Sequence, residues 1–215
     1  MKLSFFLPYA VLALLHLVCC AANRQFLRHL SKTLLVPLLL LGYACTAATA
    51  DPWVLAALLL GWAGDIFLIW PGHTRLSTAG ISAFGLGHVC YIFAMLSPLH
   101  GGVPSLLWLC ILAPLALAAA LYTLSLRVMD RALRVPGALY YLLLAALCAA
   151  AALSLAAGAA GGGWLLAGAA LFLLSDTLLV RQFSTVGDPA PRYDFAVMLT
   201  YILAQGFLAL GFAMR

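Results

Sequence analysis

Two aspartates carry the strongest chemical signal in this sequence, because each lies inside a long apolar segment. Asp65 stands within LGWAGDIFL and Asp176 within LFLLSDTLL. A carboxyl group surrounded by hydrocarbon is costly, so such a residue is a functional-site hypothesis by default. When two carboxyl groups lie close together at low dielectric, one stays an acid while the other is ionised. Glycosidases use this division of labour to cleave through an oxocarbenium-like state, and it suits any ether, including a vinyl ether, that is cleaved in the same way.

Two other kinds of chemistry use similar residues. Intramembrane aspartates with a histidine and a tyrosine also form proton or cation relays, so a coupled transporter of small molecules or lipids is the alternative function. A catalytic zinc site usually needs three protein ligands. Only His88 lies deep in an apolar segment on the same side as the aspartates. We therefore expect neither a metal nor another cofactor.

Further polar residues fall in the same half of the apolar segments, namely Lys32, His88, Tyr201 and Gln205. His88 shares one predicted helix face with Gly80, Phe84, Gly87 and Tyr91, and Tyr201 and Gln205 have the i, i+4 spacing of partners. Structural roles stay open for each of them. His88 and Gln205 can be hydrogen-bonding residues between helices, Tyr201 can be interfacial, and Lys32 and Arg181 can be loop cations that set orientation.

The composition requires elements that position these residues inside a membrane. The chain has 215 residues, of which 66% are apolar and 8% charged, whereas soluble domains are about 25% charged. A membrane-spanning helix needs about 20 apolar residues. Such segments use most of the chain, so we predict a single all-α transmembrane domain over 1–215. Its eight helices are predicted at about 3–22, 33–50, 53–70, 79–97, 104–125, 135–157, 163–181 and 195–213.

Short connections rich in proline, glycine or aspartate separate the segments, at 51–52, 71–72, 98–102, 161–163 and 188–191. The first segment resembles a signal peptide, but it is long, His16 interrupts it and no clear cleavage site follows, so we interpret it as a retained helix. Asp65 and Asp176 each come five residues before the predicted helix ends at Trp70 and Arg181, about 7.5 Å along the axis. Their depths are therefore predicted to match, and they can pair if helices three and seven are neighbours.

The basic residues predict the orientation, because cytoplasmic loops carry an excess of Lys and Arg. One side of the predicted bundle holds nine of the 11 basic residues, and the other holds only Lys2 and Arg215. The richer side is predicted to be cytoplasmic. The N and C termini then lie outside the cytoplasm, and the polar groups face its side of the membrane. Lys32 is predicted to open helix two at that edge.

The remaining charges and cysteines have simpler interpretations. No Lys/Arg block is dense enough to follow a nucleic acid backbone, so the net charge of +5 does not indicate such a partner. Asp51, Asp130, Asp188 and Asp194 are expected to be loop charges or helix-start acids. The six cysteines are scattered and are expected to behave as small buried hydrophobes. The segments after Asp65 and Asp176 are weakly similar, a faint indication of an internal repeat.

Several motifs together resemble the YhhN-like family of integral membrane proteins, which includes the lysoplasmalogenases. The resemblance covers nearly the whole chain and rests on five segments: KTLLVPLL at 32–39, GDIFL at 64–68, GHVCY at 87–91, LLSDTLL at 173–179 and MLTYILAQ at 198–205. The second residue of the first segment departs from the family's usual pattern, since Thr33 stands where a proline is common.

The resemblance implies an eight-helix inner-membrane hydrolase active in ether-lipid metabolism. Such an enzyme cleaves the vinyl-ether bond of a lysoplasmalogen, a lysophospholipid, to a fatty aldehyde and a glycerophospho-alcohol. It implies that Asp65 and Asp176 are the catalytic acids and that Lys32, His88, Tyr201 and Gln205 line the pocket. Lys32 and Arg181 are candidates to hold the lipid phosphate, because a cation at the membrane edge suits that group.

Overall fold

The computed structural model describes residues 3–70, 73–97, 106–184 and 191–215. They form eight α-helices, after a short 3-10 turn at Leu3–Phe6. The helices are α1 Leu7–Ala21, α2 Gln25–Thr46, α3 Pro52–Phe67, α4 Thr74–Leu96, α5 Leu107–Ser125, α6 Arg134–Ala156, α7 Gly162–Ser184 and α8 Pro191–Ala213. The all-helical architecture predicted from hydropathy is confirmed.

Six helices pack in a closed order around the interior, and two lie outside it. Helix α2 packs on α3, α3 on α4, α4 on α6, α6 on α7, α7 on α8, and α8 returns to α2. Helix α1 covers α2 and α8, where the Tyr9 hydroxyl donates a 2.7 Å hydrogen bond to the Ile202 carbonyl. Helix α5 covers α6 and α7. Consecutive helices contact each other in both halves, α1–α2–α3–α4 and α5–α6–α7–α8, and the internal repeat stays a prediction from the sequence.

Seven of the helices are long and apolar enough to cross a membrane, and α3 is the shorter apolar one. At about 1.5 Å per residue, its 16 residues extend about 24 Å, less than the roughly 30 Å of a hydrocarbon core. The structure therefore supports a polytopic membrane protein. The eighth span stays a prediction.

Three helix starts predicted from hydropathy are wrong. Helix α2 begins at Gln25 rather than 33, α4 at Thr74 rather than 79, and α8 at Pro191 rather than 195. Polar residues at these ends lower the hydropathy without ending the helix, because long basic side chains reach the interface and acids find partners. Lys32 consequently lies seven residues inside α2 and does not open it. The predicted breakers at 71–72, 98–102 and 188–190 lie outside the described residues.

Candidate active site

Both carboxylate oxygens of Asp65 have partners on other helices. Tyr201 of α8 donates its hydroxyl to Oδ2 at 2.6 Å, and the Lys32 ammonium of α2 lies 3.5 Å from Oδ1. The Asp65 side chain is 1% exposed, and that of Lys32 is 18% exposed. A cation and a hydroxyl donor together stabilise the ionised form of a buried carboxyl group. The structure thus brings Asp65, Lys32 and Tyr201 together as one network.

The network continues through Gln205 to the opposite side of the interior. The Gln205 amide donates to the Tyr201 hydroxyl at 3.4 Å, as the i, i+4 spacing predicts. Tyr91 of α4 donates to the Gln205 carbonyl oxygen at 2.9 Å. All of these side chains except Lys32 are buried. Hydrogen-bonded buried groups of this kind hold each other in one arrangement, so α2, α3, α4 and α8 meet at a fixed polar centre.

A proline in α2 helps to align Lys32 with Asp65. Pro37 has no N–H, so the carbonyl of Thr33 loses its partner in the helix. The indole N–H of Trp62 on α3 donates to that carbonyl at 2.9 Å. This bond joins α2 to α3 beside Lys32, and one helical turn before Asp65. The carbonyl that the proline leaves free thus becomes the acceptor of an interhelical hydrogen bond. This bond fixes the position of α2 relative to α3 beside the ion pair.

Two glycines of α3 allow the neighbouring helices to approach. A Cβ atom at Gly64 would lie 2.7 Å from ring carbons of Phe84 on α4. A Cβ atom at Gly61 would lie 3.0 Å from the amide nitrogen of Gln205 on α8. Small residues permit such close packing between membrane helices. The short stretch before Asp65 therefore accommodates both α4 and α8.

Among the residues that the structure describes, Asp176 has a single donor. Tyr140 of α6 donates its hydroxyl to Oδ2 of Asp176 at 2.8 Å. The next residues form a parallel contact, since the Tyr141 hydroxyl lies 3.1 Å from Oγ1 of Thr177. Neither a cation nor a second donor contacts Asp176 within the described ranges. The sequence does not predict Tyr140 as this donor, because a pair of adjacent tyrosines gives no sign of which one faces a carboxyl group.

An aromatic layer lies between the two carboxyl groups. The ring of Phe172 on α7 is 5.7 Å from that of Tyr201 and 4.5 Å from that of His88, measured between centroids. The ring of His88 is in turn 5.9 Å from that of Tyr140. The donor to Asp65 and the donor to Asp176 are therefore connected through Phe172 and His88. The predicted face of α4 is also confirmed, because Gly80, Phe84, Gly87, His88 and Tyr91 are all buried.

His88 is 1% exposed, and neither ring nitrogen has a hydrogen-bond partner among the described residues. Buried polar atoms in native structures nearly always have a partner, and an exception indicates a water, ion or ligand that supplies one. His88 lies fourteen residues after the start of α4 rather than nine, so it is deeper than predicted. His88 therefore has unused hydrogen-bonding capacity within the aromatic layer, which a polar group of a substrate, or a water, could satisfy.

The two aspartates do not form a directly bonded pair. No hydrogen bond or ion pair joins their carboxyl groups in the part of the chain that the structure describes, and α3 and α7 are not packed as neighbours. The matched distance to the helix ends is also wrong. Asp65 comes two residues before α3 ends at Phe67, and Asp176 eight residues before α7 ends at Ser184. Helix α7 continues past Arg181, whereas α3 stops three residues before the predicted end at Trp70.

The structure places the two candidate phosphate ligands differently. Lys32 contacts Asp65, while Arg181 is exposed near the end of α7 and makes no ion pair among the described residues. The cation that lies one turn from Lys32 on α2 is Arg28. It pairs with Asp194 of α8 at 2.5 Å. Asp194 is therefore a buried ion-pair partner as well as a helix-start acid. In the sequence, the i, i+4 spacing of Arg28 from Lys32 is the pattern that indicates Arg28.

A second polar cluster joins α1 to α2. His16 is fully buried, with Nδ1 2.7 Å from the Ser31 hydroxyl and Nε2 3.4 Å from the Cys20 sulfur.

All six cysteines are free. Three of them are buried as expected, but Cys45 is exposed and Cys19 and Cys90 are only partly covered. Since apolar helix faces can turn to lipid, burial in the protein interior was too narrow an expectation for these residues.

Asp51 confirms the interpretation of a helix-start acid, because its carboxylate accepts from the Trp53 N–H at 2.8 Å at the start of α3.

The arrangement around Asp65 and Asp176 calls for a different interpretation. It offers one carboxylate held by a cation, one carboxyl group held by a neutral donor, and a histidine with open nitrogens between them. These are the components of acid and base catalysis in a low-dielectric interior.

Comparisons with known proteins agree with the motifs. No curated protein and no solved structure matches the chain. The model of the YhhN family matches residues 27–212, a range that contains both aspartates, the Lys32–Asp65 ion pair, the Tyr140 donor and the aromatic layer. Because this match covers most of the 215 residues, the chain belongs to the YhhN family.

Proposed function

We propose that this protein is a membrane hydrolase that cleaves the vinyl-ether bond of lysoplasmalogens. The products are a fatty aldehyde and a glycerophospho-alcohol. Asp65 and Asp176 supply the acid and base groups, and no cofactor takes part. The observation that carries the proposal is the pair of intramembrane carboxyl groups, each held by a tyrosine, on either side of His88, whose ring nitrogens have no hydrogen-bond partner among the described residues.

The chemistry of a vinyl ether fits these groups. Protonation of the outer vinyl carbon gives an oxocarbenium ion, water adds to it, and the resulting hemiacetal collapses to aldehyde and alcohol. A nearby carboxylate stabilises the cation, as in glycoside cleavage. His88 and the Tyr201–Gln205 pair orient the water or the ether oxygen. A saturated ether has no vinyl carbon to protonate, so the same site discriminates against it.

The lipid phosphate is assigned to the membrane edge. Lys32 is engaged with Asp65 and Arg28 with Asp194, whereas the exposed Arg181 has no competing partner in the described residues. Arg181 follows Asp176 by five residues, about 7.5 Å along the helix axis. Arg181 is therefore our main candidate for binding the headgroup phosphate, and Lys32 serves the carboxylate.

The proposed location is the inner membrane, with the site in the cytoplasmic half and both termini outside the cytoplasm. The excess of basic residues on one side supports this orientation. A reporter that is active only in the cytoplasm, fused after Arg215, should be inactive. Activity of that fusion would contradict the orientation and leave the proposed chemistry standing.

The direct test is aldehyde release from lysoplasmenylethanolamine by the purified protein in lipid nanodiscs. Asp65→Asn and Asp176→Asn should each lower turnover by about 10²-fold or more, the usual contribution of an acid or base group. Asp130→Asn is the matched control, because Asp130 is exposed between α5 and α6. The saturated-ether and ester analogues should release no aldehyde.

The outcomes separate the proposed function from transport. Aldehyde release that persists in both aspartate variants would overturn the catalytic roles. Absence of turnover in the wild type, together with uptake driven by a pH gradient in liposomes, would replace the hydrolase with a coupled transporter. The intramembrane Lys32–Asp65 pair is compatible with that second outcome, so the flux measurement belongs beside the activity assay.

A further inference from the structure

The two carboxyl groups differ in how many of their oxygens are occupied. Both oxygens of Asp65 have partners, Oδ1 the Lys32 ammonium and Oδ2 the Tyr201 hydroxyl. Only Oδ2 of Asp176 has a partner, the Tyr140 hydroxyl, and Oδ1 accepts no hydrogen bond from the described residues. Asp65 is buried, while Asp176 is partly accessible. The two carboxyl groups are therefore not equivalent in their surroundings.

We propose that the two carboxyl groups have fixed catalytic roles. Asp176 is protonated in the resting protein and gives its proton to the vinyl carbon, whereas Asp65 is ionised in the resting protein. An ion pair with Lys32 and a second donor favour the ionised form of Asp65. A single neutral donor gives Asp176 no compensating charge, so a proton on its open Oδ1 is the less costly state in a low dielectric. Tyr140 is a positioning residue, because it holds Oδ2 and directs Oδ1 away from itself.

The assignment gives a balanced reaction. The O–H bond of Asp176 breaks as a C–H bond forms at the outer vinyl carbon, and the oxocarbenium ion forms near the Asp65 carboxylate. Water attacks the ether carbon and gives one proton to Asp65, leaving a hemiacetal. In the collapse, the hemiacetal hydroxyl returns a proton to Asp176 while Asp65 protonates the departing alcohol oxygen. Both carboxyl groups regain their starting states, and the sum is vinyl ether plus water to aldehyde plus alcohol.

The reaction sequence rests on the proposed function, but the difference between the two groups can be measured without any substrate. Infrared difference spectra of the purified protein separate the C=O stretch of a protonated carboxyl group from carboxylate bands. At neutral pH, we expect the protonated band to be lost in Asp176→Asn and retained in Asp65→Asn. Tyr140→Phe should move the band to higher frequency, because its carbonyl loses a hydrogen bond. Tyr201→Phe, the matched change at Asp65, should leave it in place.

A band that disappears in Asp65→Asn and persists in Asp176→Asn would overturn the assignment, as would the absence of a protonated band in the wild type. If Asp176→Asn does not fold, the Tyr140→Phe shift still decides, because an unshifted band excludes Asp176 as its source. Lys32→Met should add a second protonated band that disappears in Lys32→Met/Asp65→Asn. If the band follows Asp176 but no vinyl ether is cleaved, the proposed function fails and the difference in protonation remains.

Discussion

The two halves of the bundle place an aspartate at nearly the same point but surround it differently. Asp65 comes thirteen residues after the start of α3, and Asp176 fourteen residues after the start of α7. Each is contacted from the preceding helix, by Lys32 seven residues into α2 and by Tyr140 six residues into α6. The preceding helix thus supplies a cation in the first half and a phenol in the second.

One helical framework thus supports two carboxyl groups in unlike surroundings. On the Asp65 side, an ion pair, the Trp62 bond and closely approached glycines fix the carboxylate from α2, α3, α4 and α8. On the Asp176 side, one hydroxyl holds the carboxyl group and leaves an oxygen open. A charged, fully satisfied group suits stabilisation of a cation, whereas an open group suits proton transfer.

The largest expected effect comes from removing the cation of the first half. Lys32→Met leaves the buried Asp65 without its ion-pair partner, which costs about 3 kcal/mol in such sites. Tyr140→Phe, the corresponding change in the second half, removes one neutral hydrogen bond and should cost about 1 kcal/mol. Reversible unfolding in mixed micelles measures both. Equal costs for the two variants would remove the energetic basis of the comparison.

A double variant checks the cause of the Lys32 effect. Lys32→Met/Asp65→Asn should be more stable than Lys32→Met alone, because an amide at position 65 needs neither a cation nor an added proton to be buried. If the double variant is the less stable of the two, the Lys32 side chain contributes mainly through packing and not through the charge of Asp65.

The next effect concerns the close packing before Asp65. Gly64→Ala would place a Cβ 2.7 Å from the ring of Phe84, so α3 and α4 must separate, at a cost of about 2 kcal/mol. Gly85→Ala is the matched change near the second carboxyl group. Its Cβ would be 3.6 Å from Leu143 and 3.8 Å from Tyr140, which are ordinary contact distances. Turnover should fall more in Gly64→Ala than in Gly85→Ala, and the reverse order would place the tightly packed side of the site at Tyr140.

Much of this site could be predicted from the sequence, because the physical costs are local. An aspartate within an apolar segment needs a partner wherever the helix lies, so Asp65 and Asp176 are identified without a structure. The i, i+4 spacing of Tyr201 and Gln205 likewise predicts their contact. Hydropathy predicts eight apolar helices for the same reason, since each segment must bury its backbone polar groups.

The rest depends on which helices are neighbours, and no local rule supplies that information. Tyr140 meets Asp176 only because α6 packs on α7, and Lys32 meets Asp65 only because α2 packs on α3. The predicted start of α2 at 33 is wrong because Arg28 and Ser31 lower the hydropathy of a turn that remains helical. In the structure Arg28 pairs with Asp194 of α8, and Ser31 contacts His16 of α1 and carbonyls of its own helix.

The smallest effect tests the contact that aligns the first half. Trp62→Phe removes the donor to the Thr33 carbonyl and should cost about 1 kcal/mol. Trp53→Phe is the control, because Trp53 lies on the same helix and packs by stacking on Phe93.

Pro37→Ala restores an N–H for Thr33 within α2. The cost of Trp62→Phe should therefore be smaller in the Pro37→Ala background than in the wild type. The protonated infrared band of Asp176 should be the same in Trp62→Phe and the wild type, because the contact belongs to the other half. Additive costs of the Trp62 and Pro37 changes would show that the proline and the indole act independently, and the α2–α3 register would then need another cause.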